Sequence, residues 1–366
     1  MKPRLLEFLK CPACNGSFAM QVTEEAGGEV KEGSLSCNDC SKAFDITGYV
    51  PRLMQGYNYS DSWGVLWKRT AHLLRDSSTK VPFHYNCIFG EYRDDSPGIS
   101  EDRTSPFGFN WPKDLSGQKI LEIGPGTGNF TEHLKDTGAE LFCVDMSDAI
   151  DTFPEAWYVQ ENVHVIQADI NTGVLPQGLF DRIWFFQVLQ HTPSPKDTLK
   201  QIRPYLRGKG ELAVTCYPAG PFKYWLPYYI TRLFPDKPSW KFIKWTCPIM
   251  VPIKFGILKA CYALRLKYLA WGFRALLGVW DPRDIYFFTR RGDYDNWLFG
   301  TLWNRNKDKK ELMDHVILNT FDTITPRYTN CVKDTAMMQG WLDYAGYDGA
   351  EIWRNGTRAR AKNTVL

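Results

Sequence analysis

Two CxxC pairs, Cys11-Pro-Ala-Cys14 and Cys37-Asn-Asp-Cys40, stand 22 residues apart near the start of this 366-residue chain. Each knuckle presents two thiolates from one tight turn, and two knuckles complete a tetrahedral zinc site. Four protein ligands leave no open coordination position, so the spacing points to a structural rather than a catalytic metal. A redox CxxC and a disulfide framework are the alternatives, and the repetition of the pair favours zinc. A second constellation follows: Gly124-Pro-Gly126-Thr-Gly128 lies directly after the apolar run Lys119–Ile123, and Asp145 stands 21 residues beyond Gly124. Glycines at a strand-to-helix turn let the backbone approach a ligand closely, and an acid at the tip of the neighbouring strand can hold ribose hydroxyls. The spacing is GxGxG rather than the dinucleotide GxGxxG, and no Lys-Ser/Thr follows as in a phosphate-cradling P-loop.

These residues need a frame. Lys119–Ile123, Glu140–Val144, Val163–Asp169, Phe180–Gln187 and Gly210–Tyr217 are short apolar runs alternating with helix-like stretches at Asn129–Thr137 and Pro195–Leu206. Such alternation predicts a doubly wound parallel sheet. Near the end, Lys333–Ala345 reads as a helix stopped by Gly346, and Gly349–Arg354 with Thr357–Lys362 as a final hairpin. In the N-terminal part, about 50 residues are too few to bury a sufficient core, which zinc would offset. There Glu25-Ala-Gly-Gly-Glu29 reads as a hairpin loop.

The run Glu122-Ile-Gly-Pro-Gly-Thr-Gly128 resembles motif I of class I S-adenosylmethionine-dependent methyltransferases, and the strand order downstream agrees with that family. The resemblance implies a Rossmann-like α/β fold with a seven-stranded, mostly parallel sheet. It also implies that Glu122, Gly124, Gly126 and Gly128 line the methionyl part of S-adenosylmethionine, that Asp145 binds its ribose, and that Asp169 with Ile170 flanks its adenine. Phe44-Asp-Ile-Thr-Gly-Tyr-Val-Pro-Arg-Leu53 resembles the zinc-ribbon family that activates tRNA and protein methyltransferases, with Asp45 where proline is usual. Val188–Pro193 and Asn319–Tyr328 resemble signatures of a bacterial group in which such a ribbon is fused to a methyltransferase. In the same group Ser100–Arg103 and Tyr57–Trp67 have counterparts, and Arg103 is placed to clasp the cofactor carboxylate through its guanidinium fork. The resulting organisation is a zinc ribbon at 1–56, a connecting segment covering the cofactor site at 57–118, and a methyltransferase core at 119–216. A substrate cap at 217–330 and a C-terminal helix and hairpin at 331–366 complete it.

His191 and Gln187, just past the fourth strand, are the candidates for acting on the acceptor. A histidine of ordinary pKa suits a base, and a backbone-bonded histidine is the plain alternative. Arg327 and Tyr328 are candidate acceptor-pocket residues. No carboxylate cluster suggests a catalytic metal.

The composition adds one anomaly. The chain has 14 Trp, 18 Tyr, 22 Phe and a net charge of +3. Between Tyr217 and Trp303 there are 23 aromatics, 13 Lys or Arg and 5 Asp, so the basic excess is local to one insertion. Three readings of it stay open: a helical cap above a small-molecule or glycan pocket, a membrane-surface contact through 217–280, or a nucleic-acid platform. The cap is preferred. Pro248, Pro252, Gly256 and Gly272 are expected to break any long interfacial helix there. The N-terminal apolar stretch is too short for a signal peptide, and charges interrupt every candidate membrane span, so a cytoplasmic protein, at most peripheral to the inner membrane face, is expected. The activity expected is S-adenosylmethionine-dependent methylation of a hydroxyl or amine on a small molecule, sugar or lipid-linked glycan. An rRNA or tRNA methyltransferase and a catalytically silent binding protein are the alternatives.

Overall fold

A computed structural model describes residues 1–54, 58, 60–71, 74–90, 108–219, 240–266, 268–269, 317, 320, 327–353 and 356–363. The chain divides into two compact units, one of Met1–Ser96, Asp102–Pro218 and Arg327–Leu366, the other of Pro97–Glu101 and Ala219–Pro326.

The first unit opens with a four-stranded antiparallel sheet of β1 (Phe18–Ala26), β2 (Glu29–Cys37), β3 (Ala43–Thr47) and β4 (Val50–Pro51). Gly27 and Gly28, both at positive φ, form the tight turn between β1 and β2 where the sequence placed a hairpin loop. The seven-stranded sheet comprises β5 (Lys119–Ile123), β6 (Glu140–Asp145), β7 (Val163–Gln167), β8 (Phe180–Phe185), β9 (Leu206–Thr215), β10 (Asp348–Trp353) and β11 (Arg358–Lys362). Its order is β10-β11-β9-β8-β5-β6-β7, with β5 to β9 parallel and the final hairpin antiparallel. This is the sheet expected of a class I methyltransferase. Strand alternation divides its side chains between two apolar layers: Leu121, Phe142, Val144 and Ile166 on one face, Ile120, Leu141, Cys143 and Val165 on the other.

The ribbon is built into the first of these layers. Met1, Leu5, Leu9, Phe18, Leu35 and Leu53 join the same buried cluster as Leu121 and Phe142, and Phe8 meets Phe142 edge-on at 5.3 Å. The backbone N–H of Leu53 donates to the Gln167 carbonyl at 2.8 Å, extending β7 by one bridge at Arg52. Lys10 donates to Val174, and the Lys2 ammonium to the Tyr158 carbonyl at 2.8 Å. Helices α1 (Asp61–Thr70), α2 (Asp76–Thr79) and α3 (Phe83–Phe89) lie in the connecting segment, and α4 (Thr131–Leu134) and α5 (Glu155–Val159) in the core.

Several elements differ from expectation. The helix after the glycines is one turn rather than Asn129–Thr137, because Gly128 at φ +81° and the turn after it delay its start, and Thr137 Oγ caps the Leu134 carbonyl at its end. The helix α6 (Pro195–Ile202) gives way to a 3-10 turn at Arg203–Tyr205, since Pro204 has no N–H to offer. In the second unit α7 (Trp240–Ala263) runs unbroken through Pro248, Pro252 and Gly256, where a break was expected. The carbonyls deprived of a donor belong to Lys244 and Pro248; both residues are exposed, so water can satisfy them. Gly272 lies outside the described residues. Helix α8 (Thr335–Ala345) begins two residues later than expected, where the Asp334 carboxylate accepts from the Met337 N–H at 2.8 Å, and ends at Gly346 in the left-handed region.

Because ribbon and core share one buried cluster, they should unfold together. Leu53→Ala is expected to cost about 2–5 kcal/mol. In urea, a probe of the ribbon and a probe of the core should shift to the same lower midpoint; a shift in the ribbon alone would separate the two.

Candidate functional site

Sheet order reverses between β5 and β8, and the crevice outside the carboxyl ends of strands at such a switch point is where ligands bind in open α/β sheets. The turn after β5 carries Gly124, Gly126 and Gly128, all at positive φ. A Cβ at Gly124 would meet Val188 Cγ2 at 2.5 Å, and one at Gly128 the Trp157 ring at 2.6 Å, so neither position admits a side chain. At Gly126 the Trp67 indole lies over the position a Cβ would take, at ordinary van der Waals distance, with Nε1 at 3.6 Å.

The loop is held from three directions. Asp145 at the end of β6 accepts the Gly126 N–H at 2.9 Å on one oxygen, and the Ser147 N–H and hydroxyl at 2.8 Å on the other. Burial raises its pKa, opposed by these donors. Arg75, at the start of α2, donates Nε and Nη2 to the Thr127 carbonyl at 2.9 and 2.6 Å, and Nη2 also to Thr152. Its guanidinium lies 5.1 Å from the Trp157 ring centroid. On the inner side Glu122 is buried, accepts the Thr131 hydroxyl at 2.7 Å, and faces Cys143. Its second oxygen has no partner among the described residues, and burial pushes its pKa up to about 7. Asp169 accepts from the Asn171 N–H and side-chain amide, both at 2.9 Å, and so caps the 3-10 turn that begins at the buried Ile170.

The residues after β8 form the opposite wall. Gln187 is exposed and has φ +56°, a strained backbone for a non-glycine residue. Its N–H donates to Thr215 Oγ at 2.6 Å, and its carbonyl accepts from Gln190 Nε2. His191 is buried, with Nδ1 3.0 Å from the Tyr328 carbonyl. A carbonyl only accepts, so Nδ1 carries the proton and Nε2 of the neutral ring carries a lone pair. Nε2 has no partner among the described residues, and burial lowers the ring's pKa to about 4. Trp63 and Tyr217 flank the imidazole at centroid distances of 4.6 and 5.5 Å, and Trp63 stacks on Trp67 at 5.7 Å. One aromatic helix face, on α1, therefore passes from the glycine loop to His191.

Glu122, Gly124, Gly126, Gly128, Asp145, Asp169 and Ile170 thus lie on the β5–β7 side of the crevice, and Gln187 and His191 on the β8 side. Tyr328 approaches His191 through its carbonyl, while Arg327 is exposed with its guanidinium 5.8 Å from the Tyr328 ring. Arg103 lies outside the described residues. Arg75 carries no local motif, and only the folded chain brings it to the loop. Trp67 and Gln190 lie inside the segments Tyr57–Trp67 and Val188–Pro193 that the resemblance singles out, where it gives neither a role. The residues fit S-adenosylmethionine: a glycine turn at positive φ that admits no side chain at Gly124 or Gly128, an acid fixed beside it, and buried polar atoms at Glu122 and His191 without partners among the described residues.

The four sulfurs of Cys11, Cys14, Cys37 and Cys40 lie within 4.8 Å of one another, with Cys11 and Cys40 3.7 Å apart and Cys14 and Cys37 3.4 Å apart. A tetrahedron with Zn–S of about 2.3 Å needs sulfur separations of about 3.8 Å, so the cluster fits zinc.

Residues 121–214 match the family described as "Methyltransferase domain", and the chain therefore carries a methyltransferase domain on a Rossmann-like sheet. Residues 2–48 match the family "Trm112p-like protein", so this methyltransferase-domain chain has a Trm112p-like zinc ribbon at its N-terminal side. Among curated relatives, a malonyl-[acyl-carrier protein] O-methyltransferase of Enterobacter lignolyticus (strain SCF1) is 31% identical over 97 residues, 26% of this chain and 38% of the relative. A ubiquinone biosynthesis O-methyltransferase of Acinetobacter baumannii (strain ACICU) is 25% identical over 143 residues, 36% of this chain and 60% of the relative. The chain thus spans less than two thirds of either relative. Among solved structures, a complex containing the Haloferax volcanii Trm112 methyltransferase activator is 15% identical, covering 43% of this chain and 62% of that one, with a TM-score of 0.30.

Two outcomes follow from this geometry. Cys37→Ser should lose the bound zinc and lower the melting temperature, read by metal analysis and calorimetry. In the cofactor-free chain, Glu122 keeps its proton up to about pH 7, whereas the unfolded carboxyl releases it near 4.5. The stability it contributes is present below pH 4.5 and lost as pH rises through 7, about 3 kcal/mol in all. Glu122→Gln should remove that slope in urea titrations across this range; an unchanged slope would show that Glu122 is ionised throughout.

Proposed function

We propose that the chain is an S-adenosylmethionine-dependent methyltransferase whose acceptor atom is a hydroxyl oxygen of a small molecule, sugar or lipid-linked glycan. The observation that carries this reading is His191: buried, neutral, its Nδ1 proton committed to the Tyr328 carbonyl, and its Nε2 lone pair without a described partner. When bound, S-adenosylmethionine supplies an electrophilic methyl on a sulfonium.

Glu122, Gly124, Gly126, Gly128, Asp145, Asp169 and Ile170 bind the cofactor in this reading, with Arg75 holding the loop through Thr127. His191 Nε2 accepts the proton that the acceptor hydroxyl must lose, and Gln187 orients the acceptor. Arg327, Tyr328 and Arg103 complete the acceptor and cofactor contacts. Trp63 and Tyr217 keep water away from the imidazole, so the ring stays neutral at ordinary pH. A hydroxyl needs such a base, whereas a neutral amine does not, which favours oxygen over nitrogen. Both curated relatives named above are O-methyltransferases, in accord with this preference. The connecting segment at 57–118 covers the cofactor and the insertion at 217–330 selects the acceptor. The enzyme works in the cytoplasm, with the zinc ribbon as a resident structural support.

Titration calorimetry tests the reading in two stages. The chain should bind one S-adenosylmethionine, and Asp145→Ala should weaken that binding about tenfold or more. No binding, or an unchanged affinity in the variant, overturns the reading. With a hydroxyl acceptor drawn from a panel of phenols, sugars and polyprenyl-linked sugars, His191→Ala should lower kcat by about 10²–10⁴ while cofactor affinity stays the same.

A further inference from the structure

Helix α7 has two apolar sides. Thr246, Cys247 and Cys261 are buried on one of them, where Cys247 Sγ approaches Thr320 Oγ at 3.8 Å and Ile317 is also buried. Along the other side Trp245, Ile249 and Ile253 follow one another at intervals of four residues and are exposed, Trp245 to 71%. Residues spaced in this way lie one above another on a helix. Gly256 and Ala260 continue the line without bulk, and Leu264, Leu266, Tyr268 and Leu269 extend the exposed apolar surface beyond the helix end, Tyr268 to 94%. Contiguous exposed apolar surface marks a site of association.

The charges say with what. From Trp240 to Leu269 there is no Asp or Glu, and there are six cations: Lys241, Lys244, Lys254, Lys259, Arg265 and Lys267. Lys244 and Arg265 are exposed near the two ends of the apolar line. We infer that this face lies on an anionic lipid surface. The aliphatic residues enter the acyl boundary, Trp245 and Tyr268 sit at headgroup level, and the cations meet lipid phosphates. No described helix is long and apolar enough to cross a membrane, so the helix lies in the interface and does not span it. A second copy of this chain would set the exposed Lys244 and Arg265 against like charges. A nucleic acid would find mostly Ile and Leu where it needs planar rings to stack on. The inference stands apart from the methyl-transfer reading and would survive its failure.

The test is sedimentation of the full chain with vesicles of phosphatidylcholine alone and of phosphatidylcholine mixed with phosphatidylglycerol. The chain should bind the mixed vesicles, bind the neutral ones weakly, and lose affinity as salt rises. The triple variant Trp245→Ser, Ile249→Ser, Ile253→Ser should reduce binding at least about tenfold. The double variant Lys244→Glu, Arg265→Glu, which leaves the apolar line intact, should abolish the preference for the anionic vesicles even if the triple variant folds poorly. Absence of binding to mixed vesicles, or binding unchanged in both variants, overturns the inference. So would a dimer in light scattering that the triple variant dissolves, or RNA binding without vesicle binding.

Discussion

Strand β5 pairs in parallel with β6 along one edge and with β8 along the other, and the placement of the candidate site depends on that double pairing. A strand flanked in this way is buried on both faces, hence its run of Ile, Leu and Ile around a single buried acid. Chain connections leave it in opposite directions, so the turns after β5 and β8 part and a crevice opens between them. The loop after β5 then has to make its turn within a few residues against Val188 and Trp157, which only glycine allows. Asp145 and Arg75 hold that loop by its own N–H and carbonyl, and the Gly124 and Gly128 N–H groups are held by the Val144 and Pro125 carbonyls.

The opposite wall answers to a different constraint. Gln187 is held at positive φ by Thr215 and Gln190, and the strained turn carries His191 inward to the Tyr328 carbonyl. That carbonyl decides which imidazole nitrogen bears the proton, and Trp63 and Tyr217 flank the buried ring. Electrostatic character on this side therefore comes, among the described residues, from burial and one backbone oxygen.

Much of the sheet was legible in the sequence because its strands are continuous apolar runs with glycine or acid at their ends. The cysteine cluster agrees with what the CxxC spacing predicted, and the seven-stranded sheet with what the family resemblance implied. Arg75 was not legible: an isolated arginine acquires meaning only when the Thr127 carbonyl, 52 residues away, turns toward it. The tautomer of His191 likewise depends on a residue 137 positions distant. Helix α7 was misread for a reason of solvent. The rule against interior proline counts a lost bond as a full cost, whereas here the freed carbonyls belong to exposed residues.

The ribbon gives the outer edge of the large sheet a neighbour: Arg52 and Leu53 pair with Gln167 at the end of β7, from within the same chain. Two bodies joined in one chain meet at an effective concentration set by the connecting segment, whatever the abundance of the protein. Occupancy of this seam is thus insensitive to dilution, and its stoichiometry is fixed by synthesis at one ribbon per sheet. A strand edge so engaged is also less available as a template for foreign strands, which makes the ribbon a guard against aggregation as well as a support.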